Sequence, residues 1–299
     1  MSGVLVRCPA KVNLGLRVVG DRADGFHEIV TLFQAIDLWD ELAIDPAPEL
    51  SLHVLGAGVT AGEDNLVWRA ARLLQERLPA AAGRGARLRL TKRIPVGGGL
   101  GGGSSDAAGT LAGLDALWGL GLAAGALREL GAELGSDVPF FSVGGTALGT
   151  GRGEVITSLP SIAERPLILG TPPFPLATAA VYRALPPTLT PAGAGVTVSR
   201  LFVKFAERND FALATNDLDA PAFSIRQELV AFRDALLGVG AEAALVSGSG
   251  STVFGVFGLG RDVASMASTL RRSFPDWTVR ESRTVASGVR VIGSKPAAS

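Results

Sequence analysis

Apolar residues alternate with other residues in the first part of the chain, with a period of two positions. One face of this pattern carries Val12, Leu14, Leu16 and Val18. Lys11 and Asn13 fall side by side on the opposite face. A period of two is typical of a strand that packs one face inward. The pattern therefore predicts a strand, a turn at Gly20–Gly25 and a second extended region from Ile29 to Ile44.

Helical spacing begins after Asp64 and Asn65, which together resemble a helix start. The apolar positions of this predicted helix are Leu66, Val67, Ala70, Leu73, Leu74 and Leu78. Pro79 ends it, because proline cannot donate the backbone hydrogen bond that a helix interior needs. A strand is then predicted over Arg87–Ile94, and it leads into a glycine-rich segment, PVGGGLGGGSSDA.

Two further helices are predicted after the glycine-rich segment. The apolar stripe of the first consists of Ala107, Ala108, Leu111, Leu114, Leu117 and Trp118. The second runs from about Ala123 to Leu134, and Gly135 stands where a left-handed cap would lie. Pro139 is expected to keep Val138 extended, which predicts a rigid connection there.

A shift toward proline around Leu159–Pro175 predicts a domain junction. We therefore expect one domain over residues 1–158 and a second over residues 159–299. In the second, the sequence SGSGST, Ser247–Thr252, is predicted to be a turn between two short strands. A mobile loop is expected at Pro186–Gly195, and a frayed end at the final residues SKPAAS.

Composition narrows the classes of protein. Of 299 residues, 39 are glycine, 47% are hydrophobic and the formal net charge is zero. The apolar fraction argues against global disorder, and clustered glycines exclude a collagen repeat. Cys8 is the only cysteine and cannot form an internal disulfide. We expect a cytoplasmic protein without a membrane partner, because no targeting or membrane-spanning signal stands out. The net charge of zero gives no overall electrostatic attraction to nucleic acid.

The glycine-rich segment carries the clearest chemistry. Gly97–Gly103 leave the backbone bare, and Ser104, Ser105 and Asp106 follow at a predicted helix start. Bare backbone and the unpaired N–H groups of a helix N-terminus suit a phosphate. Asp106 has a second interpretation as an acid that complements the helix dipole in the first turn.

Other phosphate-binding motifs do not account for this segment. None of the four lysines follows a glycine, so the motif G-x-x-x-x-G-K-[ST] is absent. Gly97, Gly99 and Gly102 satisfy G-x-G-x-x-G, but the nearby acid, Asp115, falls inside the predicted helix rather than at a ribose-binding position. The protein-kinase signatures H-R-D and D-F-G do not occur.

The segment PVGGGLGGGSSDA resembles the central motif of the galactokinase, homoserine kinase, mevalonate kinase and phosphomevalonate kinase superfamily. Its doubled glycines and its Ser-Ser-Asp resemble, within that superfamily, the 4-diphosphocytidyl-2-C-methyl-D-erythritol kinases of the non-mevalonate isoprenoid pathway. The segments PAKVNLGLRVVGDRADGFHEI, EDNLVWRAARLL, LGSDVPFF and VSGSGSTVF agree with that family in the same order. The resemblance therefore covers most of the chain.

The resemblance implies an α+β fold with two domains, the first like ribosomal protein S5 domain 2 and the second ferredoxin-like. ATP and a small-molecule acceptor would meet in the cleft between them. The ATP-binding residues that it implies are Asn65, Lys92, Pro95, Val96, Gly97, Gly98, Gly99, Leu100, Gly101, Gly102, Gly103, Ser104, Ser105 and Asp106. Mg²⁺ is expected to accompany the phosphates, although the sequence shows no cluster of metal ligands.

The resemblance also implies the catalytic and acceptor-binding residues. Lys11 would stabilise the transferred phosphoryl group, and Asp137 would accept or orient the proton of the acceptor hydroxyl. Without the resemblance, Lys11 is interpreted as a solvated strand residue and Asp137 as a turn residue. The implied acceptor-binding residues are Asn13, Phe26, His27, Thr178, Tyr182, Gly248, Ser249 and Gly250. Phe26 replaces the tyrosine that is common in the family, which retains a stacking face but removes a hydroxyl.

Two other functions compete with this one. A sister kinase would act on another acceptor, such as homoserine or mevalonate, but the segments GFHE and GSDVPFF argue against it. A nucleic-acid-binding module would use the basic cluster Arg84, Arg87, Arg89, Lys92 and Arg93. We interpret that cluster mostly as a solvated strand face, from which Lys92 reaches the nucleotide. The neutral net charge also argues against nucleic acid.

Overall fold

The computed structural model describes residues 3–56, 58, 60–186 and 195–294. Most of the loop predicted at Pro186–Gly195, and the final residues of the predicted frayed end, lie outside these ranges. In the first half of the chain the elements are β1 (Val4–Asp21), β2 (His27–Pro46), β3 (Ser51–Leu55), α1 (Leu66–Arg77), β4 (Ala86–Thr91), α2 (Gly102–Trp118), α3 (Ala124–Leu134), α4 (Val138–Val143), β5 (Thr146–Thr150) and β6 (Val155–Ser158).

The second half continues with β7 (Pro166–Thr171), α5 (Thr178–Arg183), α6 (Gly195–Arg208), β8 (Thr215–Asn216), α7 (Asp219–Ile225), α8 (Glu228–Gly238), β9 (Ala243–Val246), β10 (Val253–Val256), α9 (Val263–Ser273), β11 (Thr278–Arg283) and β12 (Arg290–Ser294). The predicted first two strands, first helix and glycine-led helix are confirmed, with bounds that differ by a few residues.

The strands form two sheets. The first has the order β12-β1-β2-β4-β3, with β5 on β2, β6 on β5 and β8 parallel to β1. The second has the order β11-β7-β10-β9 and is antiparallel throughout. All strands of the second sheet come after residue 159, but β8 and β12 return from that part of the chain to the first sheet. The predicted division at residues 158 and 159 stays a prediction.

Strand β1 is covered on both faces, because α2 packs against it from one side and α6 from the other. Gly109 of α2 lies so close to Cys8 that a Cβ on this glycine would be 2.4 Å from the sulfur. Phe202 of α6 covers Gly15 in the same way, at 2.4 Å from a hypothetical Cβ. The predicted strand is confirmed, but Lys11 does not lie on a solvated face and is only 3% exposed.

Three local predictions are wrong. Gly135 has φ 170°, so the third helix ends in extended backbone rather than in a left-handed cap. Val138 is the first residue of α4 instead of an extended residue, since Pro139 occupies the first turn, where its missing N–H costs nothing. Asp106 does not lie in the first turn, because α2 begins at Gly102.

Within the described ranges, every helix is too short or too polar to span a lipid bilayer.

Candidate active site

A cavity of about 1790 Å³ lies where the first sheet meets the second. Its lining comes from strand β1, the turn between β1 and β2, the segment before α1, the glycine loop before α2, the α3–α4 connection, the β5–β6 turn, helix α5 and the turn between β9 and β10. Most of the predicted site residues line this cavity. Lys92, Ser105 and Gly250 do not.

Lys11 is buried at the base of the cavity, and a chain of hydrogen bonds orients it. Its Nζ donates to Asn13 Oδ1 at 2.7 Å. The Asn13 amide donates in turn to Thr31 Oγ1 at 2.8 Å, and Thr31 donates to the carbonyl oxygen of Gly15 at 2.8 Å. Lys11 Nζ also lies 3.4 Å from Asp137 Oδ2, whose side chain is 32% exposed. One buried cation and one partly exposed carboxylate are thus held together.

The glycine loop reaches this pair through bare backbone. Gly97, Gly99 and Gly101 have φ of 70°, 73° and 70°, which side chains rarely adopt. At Gly101 a Cβ would also lie 2.6 Å from the ring of Phe141 and 3.1 Å from Lys11 Cγ. Helix α2 begins at the next residue, so its first N–H groups line the cavity without intrahelical partners.

The Ser247–Gly250 turn packs directly on the glycine loop. Ser247 Oγ donates to the carbonyl oxygen of Gly99 at 2.9 Å, and the Thr252 N–H donates to that of Gly98 at 3.1 Å. A Cβ on Gly248 would lie 3.4 Å from Lys11 Nζ, so this turn and the glycine loop meet at the same ammonium group. Gly250 lies behind the cavity lining, with its carbonyl oxygen against Gly99.

Aromatic rings also line the cavity. His27 stacks on Tyr182, with ring centroids 5.1 Å apart and an interplanar angle of 12°. Phe26 is 53% exposed, and the Arg152 guanidinium lies 5.0 Å from its ring centroid. Burial, followed by the charge of Asp137, raises the pKa of Tyr182 to about 12, so the phenol stays neutral.

Thr178 and Asn65 are placed by local hydrogen bonds. Thr178, one turn before Tyr182, pairs its hydroxyl with that of Ser249 at 2.9 Å, which links α5 to the Ser247–Gly250 turn. Asn65 is the N-cap of α1, since its Oδ1 accepts from the Val67 N–H at 2.9 Å. It also lines the cavity, so its interpretation as a cap and its predicted place near the nucleotide are compatible.

Lys92 points away from solvent, contrary to the solvated-face interpretation. Its Nζ bonds to Asp40 Oδ2 and, at 2.6 Å, to Asp106 Oδ2. Burial acts to lower the pKa of Lys92, but the charges of Asp106 and Asp40 outweigh it and raise the pKa. Burial raises the pKa of Asp106 to about 8; the charge of Lys92 opposes this shift and that of Asp40 adds to it. Lys92 therefore does not reach into the cavity.

Sequence reasoning missed Asp40, Asp21 and Arg152. Asp40 carried no distinguishing signal, because β2 also contains Asp37, Glu41 and Asp45, and only the fold shows that Asp40 is buried. Asp21 Oδ1 lies 2.8 Å from His27 Nδ1, a contact that depends on the shape of the turn between them. Arg152 is far from Phe26 in the sequence, and only the fold brings them together.

The side chains at the cavity limit how a metal ion could bind. Among the described residues there is no group of three or more His, Cys, Asp or Glu side chains that could hold one. Asp106 lines the cavity, and its buried Oδ1 has no hydrogen-bond partner in the part of the chain that the structure describes. This arrangement fits a cation carried mainly by phosphates with one protein carboxylate, as Mg²⁺ often is.

Comparisons with known proteins identify the family to which this chain is similar. Residues 65–145 match the family described as "GHMP kinases N terminal domain", and residues 202–276 match "GHMP kinases C terminal". A 4-diphosphocytidyl-2-C-methyl-D-erythritol kinase of Moorella thermoacetica is 43% identical over 274 residues, which cover 90% of this chain and 95% of that protein. The enzyme of the same name from Geobacter metallireducens is 39% identical over 283 residues, which cover 93% and 98%.

A solved structure supports the same assignment. The crystal structure of a 4-(cytidine 5'-diphospho)-2C-methyl-D-erythritol kinase is similar with a TM-score of 0.78 and 36% identity, covering 94% of this chain and 98% of that one. The predicted α+β fold with two GHMP kinase domains is confirmed. The protein is a small-molecule kinase, and it belongs to the 4-diphosphocytidyl-2-C-methyl-D-erythritol kinase family of the GHMP kinases.

Proposed function

We propose that the protein transfers the γ-phosphoryl group of ATP to the 2-hydroxyl of 4-diphosphocytidyl-2-C-methyl-D-erythritol, in the non-mevalonate isoprenoid pathway. The observation that carries this proposal is the pairing of buried Lys11 with Asp137 at 3.4 Å, beneath Gly101 and Gly248. The same cavity is lined by a phosphate-type loop and by stacked rings. One cavity thus offers places for both substrates.

The chemistry follows from the two side chains. The acceptor oxygen forms a bond to the γ-phosphorus, and the bond from that phosphorus to the bridging oxygen of ADP breaks. The hydroxyl proton passes to Asp137, while Lys11 stabilises the negative charge on the transferred phosphoryl oxygens. The bond from Lys11 to Asn13 keeps the ammonium aimed at this point. Such transfer is often loose and needs little help from a base, so positioning carries much of the effect.

The glycine loop and the start of α2 would hold the ATP phosphates. One helix N-terminus contributes only about 0.3–1 kcal/mol to an adjacent charge, and up to about 2 kcal/mol when partly buried. Enzymatic acceleration requires on the order of 8–23 kcal/mol. The remainder has to come from alignment of the two substrates and from charge stabilisation at Lys11. Asn65, at the cavity edge, is proposed to contact the nucleotide.

Asp106 is the residue that would contact Mg²⁺. Its unpaired Oδ1 supplies one carboxylate oxygen, and the ATP phosphates and water would supply the other ligands. A divalent cation neutralises phosphate charge during transfer. Its presence at Asp106 would also lower the raised pKa of that carboxyl group, since a nearby positive charge favours the ionised form.

The cytidine part of the acceptor is proposed to bind at Phe26, His27 and Tyr182, with Thr178 and Ser249 beside them. His27 and Tyr182 already stack on each other at 5.1 Å, so a base would lie against an outer ring face rather than between these two rings. The exposed face of Phe26 is available for this stacking. The absence of the family's tyrosine hydroxyl at position 26 removes a polar contact but not the aromatic face.

A phosphotransfer assay with ATP and the diphosphocytidyl acceptor tests the proposal. We expect Lys11→Ala and Asp137→Asn each to lower kcat at least about 100-fold, because each removes a group at the reacting atoms. Lys204→Ala and Asp276→Asn make comparable charge changes at exposed positions and serve as controls. Undiminished turnover in both site variants would refute the mechanism.

A ligand panel tests the substrate separately. Cytidine diphosphate should raise the thermal unfolding temperature, whereas mevalonate and homoserine should not. Stabilisation by mevalonate without stabilisation by cytidine diphosphate would favour a sister kinase. Salt-sensitive RNA binding would favour the nucleic-acid module.

A further inference from the structure

Three buried charged side chains meet behind the glycine loop, and of these only Asp106 also lines the cavity. Asp40 comes from β2, Lys92 follows β4 and Asp106 belongs to α2. Their side chains are 0%, 5% and 3% exposed. Lys92 Nζ bonds to both carboxylates, which are contributed by elements on either side of it. We refer to these three residues as the buried charge cluster.

Asp40 uses both of its oxygens. Oδ2 accepts from the Lys92 ammonium group. Oδ1 accepts from the backbone N–H of Ile94 at 2.9 Å and from that of Arg93. Arg93 and Ile94 directly precede Pro95, the first residue of the loop. Asp40 therefore holds the entry of the glycine loop.

Lys92 connects Asp40 to helix α2, which follows the loop. Its bond to Asp106 reaches α2 one turn after the helix begins. The ammonium lies under the first residue of that helix, since a Cβ on Gly102 would be 3.1 Å from Lys92 Nζ. On the other side, Gly56 has φ +124° and leaves only 2.9 Å between a hypothetical Cβ and Lys92 Cβ. Lys92 is thus confined both at its Cβ and at its ammonium group.

We propose that Asp40 and Lys92 are positioning residues for the nucleotide phosphates: together with Asp106 they clamp both ends of the Pro95–Gly103 loop. Neither residue lines the cavity, so they act through the loop rather than on a ligand. A clamp at the loop should affect nucleotide binding more than binding at Phe26, His27 and Tyr182, because none of these three residues contacts the buried charge cluster among the contacts of the described residues. This inference rests on the proposed role of the loop in binding ATP.

Asp40→Asn tests the clamp, because it keeps an oxygen for Arg93 and Ile94 but removes the charge that faces Lys92. Asp45→Asn is a matched control: the same change on the same strand, at a half-exposed ion pair with Arg89 at 2.6 Å. The measurement is the Kd of ADP and of cytidine diphosphate by calorimetry. We expect Asp40→Asn to raise the Kd of ADP at least tenfold and the Kd of cytidine diphosphate less than twofold. In the Asp45→Asn control, both Kd values should stay within twofold of the parent protein.

An equal loss of affinity for both ligands, or an unchanged affinity for ADP, would overturn the proposal. If Asp40→Asn does not fold by circular dichroism, Lys92→Met replaces it, since this variant keeps the backbone bonds of Asp40. Lys92→Met should also weaken the binding of ADP more than that of cytidine diphosphate. Failure of both variants to fold would make the cluster a requirement for folding and would also overturn the proposal. Parent protein that binds ADP but not cytidine diphosphate would refute the proposed substrate while leaving the ADP test valid.

Discussion

Two glycine-containing turns meet over Lys11, and the chain anchors them by different chemistry. The Pro95–Gly103 loop is held by the buried charge cluster, in which an ammonium group bridges two carboxyl groups. The Ser247–Gly250 turn is held by side chains that bond to its backbone. Asn216 donates from its amide to the carbonyl oxygens of Val246 and Gly248, at 2.9 Å and 2.8 Å.

The second anchor also joins the two sheets. Asn216 ends β8, which pairs with Leu16 of β1, and the next residue, Asp217, accepts from the Val18 N–H at 2.9 Å. Asp219 accepts from the Val246 N–H at 2.9 Å. The turn of the second sheet is therefore positioned relative to β1, the strand that carries Lys11.

The two anchors differ in how much stability is lost when one partner is removed. Removing one partner of a buried ion pair leaves an uncompensated charge and typically costs about 3–5 kcal/mol. Removing a partner from a buried neutral group costs about 1–3 kcal/mol. Breaking the charged anchor should therefore cost more stability than breaking the amide anchor. The amide anchor holds a turn that contacts the loop from outside.

Gly99→Ala should have the largest effect, because it breaks the contact between the two turns. Its Cβ would lie 2.0 Å from the Ser247 carbonyl oxygen, in a backbone conformation with φ +73°. We expect turnover to fall at least about 100-fold, since misplacement by about 1 Å can cost that much. Gly97→Ala is the matched control: its φ is +70°, but the nearest atom is 3.7 Å away. Equal losses in a phosphotransfer assay would show that backbone strain alone is responsible.

Asn216→Ala should have the next largest effect, on stability. It leaves two buried carbonyl groups without their donor, so we expect the free energy of unfolding to fall by about 1–3 kcal/mol. Urea unfolding measures this loss, with Thr215→Ala as the neighbouring control. A change below about 0.5 kcal/mol would mean that the amide does not anchor the turn.

The smallest expected effect is a pH dependence at Asp219. Burial raises the pKa of this carboxyl group from 3.8 to about 7. Between these values the folded chain holds a proton that the unfolded chain has released, so the free energy of unfolding falls as pH rises. From pH 6 to pH 7, Asp219→Asn should remove about 1 kcal/mol of this fall in urea unfolding. Exposed Asp276→Asn should leave the slope unchanged, and the same slope in both variants would contradict the prediction.

Periodicity predicted the elements around the site with good accuracy. The alternation in β1 and the helical spacing in α1 and α2 were sufficient, because each pattern is local. The α3–α4 connection was mispredicted for the opposite reason. Pro139 is compatible with either an extended or a first-turn neighbour, and packing of Val138 and Phe140 in the core selects the helix.

The sequence by itself determined the glycine loop, the family and the candidates Lys11 and Asp137, because these depend on residue type and order along the chain. Only the tertiary structure decided that Lys11 is buried beside Asp137, and that Lys92 bonds to Asp40 and Asp106 instead of facing solvent. The physical reason is that burial and charge pairing depend on residues far apart in the chain. Lys92 and Asp40 are 52 positions apart, and no local pattern records which of them will meet.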